Sequence, residues 1–121
     1  MTYIKINETL YPATISGRVQ DKDWDNRESK AITLEMDYAT AIGLFVDGLA
    51  WSIVQETPIQ VQTEDENGNV TVETKMEVEE FDNSEYDIAG SITVHRNGTV
   101  TVKMGKITDG EALAELMEVL A

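Results

Sequence analysis

Ile59-Gln60-Val61-Gln62-Thr63-Glu64 and Val70-Thr71-Val72-Glu73-Thr74-Lys75-Met76 flank the turn Asp65-Glu66-Asn67-Gly68-Asn69. β-Branched residues at every second position mark strands, and Asn-Gly between two such runs signals a hairpin. A two-residue Asn67-Gly68 turn pairs Thr63 with Val72, Val61 with Thr74 and Ile59 with Met76 on one face. A four-residue loop shifts the pairing by two and keeps those faces. Gln60, Gln62, Glu64, Glu73, Lys75 and Glu77 then occupy the other face. The expected product is a long ribbon, apolar on one side and acidic on the other, with Leu49, Trp51 and Ile53 continuing its apolar side. Pro58 cannot donate to the ladder, so its strand is an edge or is bulged there.

Outward from the ribbon, other segments alternate at period two. Ile4 and Ile6 form a short strand, followed by a turn at Asn7-Glu8-Thr9. Tyr11, Ala13, Ile15, Gly17 and Val19 share a face of a second strand, and a polar loop runs from Gln20 to Glu28. Ile32, Leu34 and Met36 mark a third strand. Near the end, a three-residue loop, Arg96-Asn97-Gly98, pairs Val94 with Val100, Ile92 with Val102 and Gly90 with Met104. A two-residue turn there would mismatch the faces.

Two segments read as helices. Tyr38, Ala41, Ile42, Phe45 and Val46 form one stripe, with Asp37 as N-cap and Gly48 at the exit. Thr108 and Glu111 form a capping box ahead of Leu113, Leu116, Met117 and Leu120. That terminal stripe packs either on the chain's own sheet, which is the favoured reading, or on a neighbouring subunit. The expected fold is a single α+β domain over residues 1–121, mainly antiparallel, as a sandwich or partly open barrel. Its expected core is Ile15, Ile32, Leu34, Ile42, Phe45, Trp51, Ile53, Ile92, Val94, Val102 and Leu116.

Composition narrows function mainly by exclusion. The 121 residues include 23 acidic and 9 basic side chains, a formal net charge of −14, which repels nucleic acid and anionic membranes. Eleven of the acids and one base, Lys75, lie between Glu56 and Asp87. That stretch reads as a solvated face or as a surface for a basic partner. With no cysteine and one histidine, His95, thiolate chemistry and multi-histidine metal sites are excluded. No apolar run approaches the roughly 20 residues that span a bilayer, and the N-terminus lacks a signal peptide's apolar core.

Candidate chemistry is thin. Asp21, Asp23 and Asp25 resemble the opening of an EF-hand loop, but Asn26 stands where its glycine belongs and Ile32 where its glutamate belongs. No metal or cofactor site and no catalytic residues are expected. Trp24, an indole among charges, reads either as an interface anchor or as a ring folded back over the sheet.

Three stretches carry a resemblance: Leu10-Tyr11-Pro12-Ala13-Thr14-Ile15-Ser16-Gly17, Asp23-Trp24-Asp25-Asn26-Arg27-Glu28-Ser29-Lys30-Ala31-Ile32-Thr33-Leu34, and Tyr86-Asp87-Ile88-Ala89-Gly90-Ser91-Ile92-Thr93. With the Phe45–Trp51 turn, they resemble short acidic proteins of tailed bacteriophages and prophages of Gram-positive bacteria. The resemblance implies a phage context and a virion or tail-assembly role, without a functional motif to transfer residue by residue.

The leading expectation is therefore a non-enzymatic structural or assembly protein of the host cytoplasm or virion. It would homo-oligomerise or bind other virion proteins, without direct contact with nucleic acid or membrane. Its candidate interface residues are Trp24, Ile59, Val61, Val72, Met76, Leu116 and Leu120. An acidic DNA mimic that occupies a DNA-binding protein's basic cleft is the alternative, and a weak calcium-binding module the third.

Overall fold

The computed structural model describes residues 1–120, with side chains described through Glu118. Seven strands form one open antiparallel sheet: β1 (Thr2–Ile6), β2 (Thr9–Asp21), β3 (Arg27–Glu35), β4 (Ser52–Glu64), β5 (Val70–Asp82), β6 (Ile88–Val94) and β7 (Thr99–Gly105). Their order across the sheet is β5-β4-β1-β2-β3-β7-β6. Helix α1 (Tyr38–Leu44) is internal and α2 (Asp109–Leu120) follows β7. The α+β class, the antiparallel sheet, the long hairpin and both helices match the sequence reading; the sheet itself is open.

Local chemistry explains the joints. Asn7 and Glu8 both take positive φ between Ile6 and Thr9, which makes β1–β2 a two-residue hairpin. Asp37 accepts the Thr40 amide at 2.7 Å and starts α1. The segment expected as a polar loop from Gln20 instead continues β2 to Asp21, makes a 3₁₀ turn over Lys22–Trp24, and enters β3 at Arg27.

One face of the sheet buries the core. Ile4 and Ile6, Ile32 and Leu34, and Val100, Val102 and Met104 form it with Ala41, Phe45, Trp51 and Tyr86. The Trp51 indole donates to the Tyr86 carbonyl at 2.9 Å, so its polar atom is satisfied inside. Burial pushes the Tyr86 phenol up to about 12, and the neighbouring Glu28 carboxylate adds to the shift.

Of the expected core, Ile32, Leu34, Phe45, Trp51 and Val102 are buried, and Ile15, Ile53 and Ile92 pack partly against them. Ile42, Val94 and Leu116 are exposed. Only Ala41 and Phe45 of the α1 stripe reach the core, so Ile42 turns outward with Tyr38 and Val46. Val94 lies on an edge strand beside its turn.

The second hairpin has the expected loop. The His95 amide donates to the Thr99 carbonyl at 2.9 Å, and Gly98 takes φ +84°. Val94 pairs with Val100 and Ile92 with Val102; a bulge then sets Ala89, not Gly90, opposite Met104.

The central hairpin does not have the expected register. Asp65 closes a three-residue loop by donating to the Asn69 carbonyl, and its side chain accepts the Asn67 and Asn69 amides at 2.9 Å. Gly68 takes φ +81°. Thr63 therefore faces Thr71, Val61 faces Glu73, Ile59 faces Lys75 and Pro58 faces Met76. A shift of one residue moves every β5 side chain to the other face. Ile59 and Val61 share a face with Glu73, Lys75 and Glu77, whereas Val70, Val72, Met76 and Val78 share the opposite face with Gln60, Gln62 and Glu64. The ribbon is mixed on both sides.

Candidate assembly surfaces

Three features stand apart from the core: the ribbon, α2 with its anchor, and a groove on the core-facing side of the sheet. The ribbon leaves the body early. β1 flanks β4 only from Ser52 to Gln55, and the last contact is the Glu56 amide donating to the Met1 carbonyl at 2.9 Å. Beyond it, β4 has β5 on one side and solvent on the other, so Pro58 leaves no ladder bond unmade. Every residue of β5 is exposed. Of the candidate interface residues, Ile59, Val72 and Met76 are exposed and Val61 is half-buried. They lie on two faces rather than in one stripe.

Helix α2 begins as its sequence dictates. The Thr108 amide donates to Glu111 at 2.9 Å, and the Glu111 amide donates to the Thr108 hydroxyl at 3.2 Å. Glu111 also holds the body. Arg27 donates from both terminal nitrogens to its two carboxylate oxygens, at 2.6 and 3.0 Å, and to the Lys106 carbonyl at 2.9 Å. Arg27 is 6% exposed. The bidentate bond from Arg27, with the Thr108 amide, holds the Glu111 carboxyl down at about 2.

That contact sets the helix's orientation. Glu111, Glu115 and Glu118 lie at i, i+4 and i+7 and share one face. Leu113, Leu116 and Met117 fall on the opposite face. Because Glu111 faces the body, the apolar stripe faces away. Leu113 is 57% exposed, Leu116 55% and Met117 63%, so the expectation that this stripe packs on the chain's own sheet is overturned. The Leu120 side chain lies outside the described residues.

The anchor rests on a bed made by distant residues. Trp24 is half-buried and folds back over the sheet, its ring near Gly90 and Gly105. A Cβ on Gly90 would come within 2.6 Å of the indole and one on Gly105 within 2.7 Å, so both positions require glycine for this close approach. The Arg27 guanidinium stacks over the ring at 5.0 Å. Its Nε is buried without a hydrogen-bond partner among the described residues.

Asp21, which opens the aspartate run, is fully buried. It accepts from Lys103 at 2.8 Å, from Ser29 at 3.1 Å and from the Asp23 amide at 3.1 Å. The Lys103 ammonium holds its carboxyl below the usual carboxylate range. Asp23 and Asp25 stay exposed. Among the described residues no cluster of three or more His, Cys, Asp or Glu could hold a metal ion. His95 bonds the Thr101 hydroxyl across the hairpin at 2.7 Å.

The groove opens where β2 passes from pairing with β1 to pairing with β3. Tyr11, Ala13, Ile15, Leu34 and Ile53 line a volume of about 870 Å³, with Met1, Glu35 and Gln55 at its rim. Nothing in the sequence pattern marks it, because Ile15, Leu34 and Ile53 read as core positions and Tyr11 and Ala13 as part of the same strand face as Ile15.

No described helix is long and apolar enough to cross a membrane. No protein-family model matches the chain, and no curated protein or solved structure is significantly similar to it.

Proposed function

We propose that the chain is a non-enzymatic assembly component of a phage or prophage particle, acting in the host cytoplasm and virion through association with copies of itself or with other virion proteins. The observation that carries the assembly part is α2, an amphipathic helix pinned by its acidic face to its own body with its apolar stripe turned outward. A large uncovered apolar surface rimmed by polar residues marks an interaction site. The phage context rests on the resemblance of the segments around Tyr11, Trp24 and Tyr86, and the tail-associated role on the same resemblance.

Magnitudes favour an assembly with several contacts per subunit. Burying the exposed half of three such side chains contributes about 2–4 kcal/mol. Association itself costs at least about 4 kcal/mol. The α2 stripe alone is therefore a weak contact, and the ribbon's exposed Val70, Val72, Met76 and Val78 supply further area. A DNA mimic needs its acids arrayed on one surface. The ribbon's register divides them, with Glu73, Glu77 and Glu79 on one face and Glu56, Glu64 and Glu80 on the other.

Light scattering of the wild type and a Val61→Lys/Met76→Lys variant, at low and high salt, tests the reading. Assembly predicts concentration-dependent association that survives salt and weakens in the variant. A strict monomer that captures a DNA-binding protein in a salt-sensitive way would replace it with the mimic.

A further inference from the structure

We infer, resting on the assembly reading above, that β5 of one chain pairs antiparallel with β5 of a second copy about a two-fold axis at Thr74, joining two sheets edge to edge. β5 ends the sheet, and all of its residues are exposed. Its outward main-chain groups can be placed from Glu56. The Glu56 amide donates to the Met1 carbonyl at 2.9 Å, and its carbonyl accepts from the Met1 ammonium at 2.6 Å. Glu56 thus turns both groups away from β5. Val78, its partner across the ladder, must turn both of its own away from β4 and into solvent. At period two, Val70, Val72, Thr74 and Met76 do the same.

Two other open stretches among the described residues are blunted. The open side of β4 beyond Glu56 carries Pro58, in step with Glu56, and so lacks an amide there. β6 shifts register between Ala89 and Ile92. β5 has neither a proline nor a register shift along its 13 residues.

The charges of β5 select both the occupant and the register. Main-chain bonds form only where outward-turned residues face each other, so even-numbered positions must meet even-numbered ones. Of the antiparallel self-pairings that overlap nine residues or more, all but one set like charges directly opposite: Lys75 against Lys75, Glu73 against Glu79, Glu77 against Glu77, or Glu77 against Glu79. Like charges so placed are destabilising. The remaining register sets Thr74 against Thr74, Val72 against Met76 and Val70 against Val78 on one face. On the other face each Glu73 meets a Lys75, and Thr71 meets Glu77. Within its own chain Lys75, the one base of the ribbon, faces Ile59; across the pair it gains a carboxylate. A strand of another protein would have no reason to match this window against itself.

The contact is isologous and closes at two copies, so a larger array needs a further surface. Each copy carries −14. Long-range repulsion therefore opposes encounter at low salt, and screening strengthens the pair.

Because the chain has no cysteine, single thiols report the register. Val72→Cys, Thr74→Cys and Met76→Cys lie on one exposed face and differ only in position. Facing Cα atoms in such a pair are about 5.5 Å apart, within disulfide reach. Val72 and its own copy would be four strand steps apart, roughly 14 Å. Purified variants are incubated singly and in pairs in a thiol–disulfide buffer. The expected result is rapid Thr74→Cys homodimers, and a Val72→Cys/Met76→Cys heterodimer that forms several-fold faster than either homodimer. Sedimentation supplies a second readout. Lys75→Glu should weaken wild-type association at least tenfold, and the exchange Glu73→Lys/Lys75→Glu should restore it. Equal cross-linking at all three positions, fast Met76→Cys homodimers, or a loss in Lys75→Glu that the exchange does not restore would overturn the inference. Wild-type association without the register pattern would overturn it too, yet leave the assembly reading standing. A wild-type monomer at every concentration, with no cross-link, would overturn both.

Discussion

Glu66-Asn67-Gly68 and Arg96-Asn97-Gly98 are the same three-residue connection, each with its glycine at positive φ and each closed by an amide-to-carbonyl bond across the loop. Beyond the loop the two hairpins differ. In β6–β7 the turn register and the apolar pattern agree, and Val100, Val102 and Met104 are buried by the core. In β4–β5 the same turn sets most apolar residues opposite charged or polar ones, and beyond Glu56 the ribbon's β5 strand is exposed along its whole length. A buried face forces pattern and turn into agreement, because a slip would place charges in the core. An uncovered ribbon has no such constraint within its own chain, and its pattern answers to whatever covers it from outside.

The largest expected effect sets the same residue type against itself. Met104 is fully buried and Met76 is half-exposed. Met104→Ala should cost about 2–5 kcal/mol in the monomer, and Met76→Ala should stay within about 0.5 kcal/mol. Denaturant midpoints of both variants measure the gap. Equal costs would show that the ribbon belongs to the core's cooperative unit, and would break the comparison.

A smaller effect tests the loops themselves. Alanine at Gly98 or Gly68 meets about 1–2 kcal/mol of left-handed backbone strain. Gly98→Ala should lower global stability by that amount. Gly68→Ala should leave the global midpoint in place and open the ribbon locally, which amide exchange of β4 and β5 would read.

The smallest concerns the α2 anchor and pH. The Glu111 carboxyl titrates near 2 in the folded chain, against an ordinary value of about 4.5. A depressed value means that the contact contributes fully above about 4.5 and is lost as the pH falls toward 2. The Thr108 amide resonance should follow that transition, and Glu111→Gln should abolish it. The same contact sets the helix's orientation, so Arg27→Ala should free α2 without unfolding the sheet; circular dichroism should retain the strand signal.

Legibility followed the range of the interactions. The capping box at Thr108–Glu111, the Asp37 cap and the Arg96–Gly98 loop are local, and each could be read from neighbouring residues. The outward turn of α2 could not, because Arg27 lies 84 positions from Glu111. Trp24 left two readings open because the glycines that receive it, Gly90 and Gly105, lie far along the chain. The aspartate alternation only resembles the opening of a cation loop, and what Asp21 does could not be read locally, because its partner Lys103 lies 82 positions away. The ribbon register was misread for another reason: pairing by faces assumes a buried face, and β5 has none.

The body and the two projections should separate most directly in amide hydrogen exchange at low and high protein concentration. At low concentration the β4–β5 amides beyond Glu56 and those of α2 should exchange fast, while β3 and β7 stay protected. At high concentration the ribbon and α2 should gain protection and the body should not change. Protection of the ribbon and α2 that is equal at both concentrations, whether high or low, would contradict the claim that these surfaces are completed by another chain.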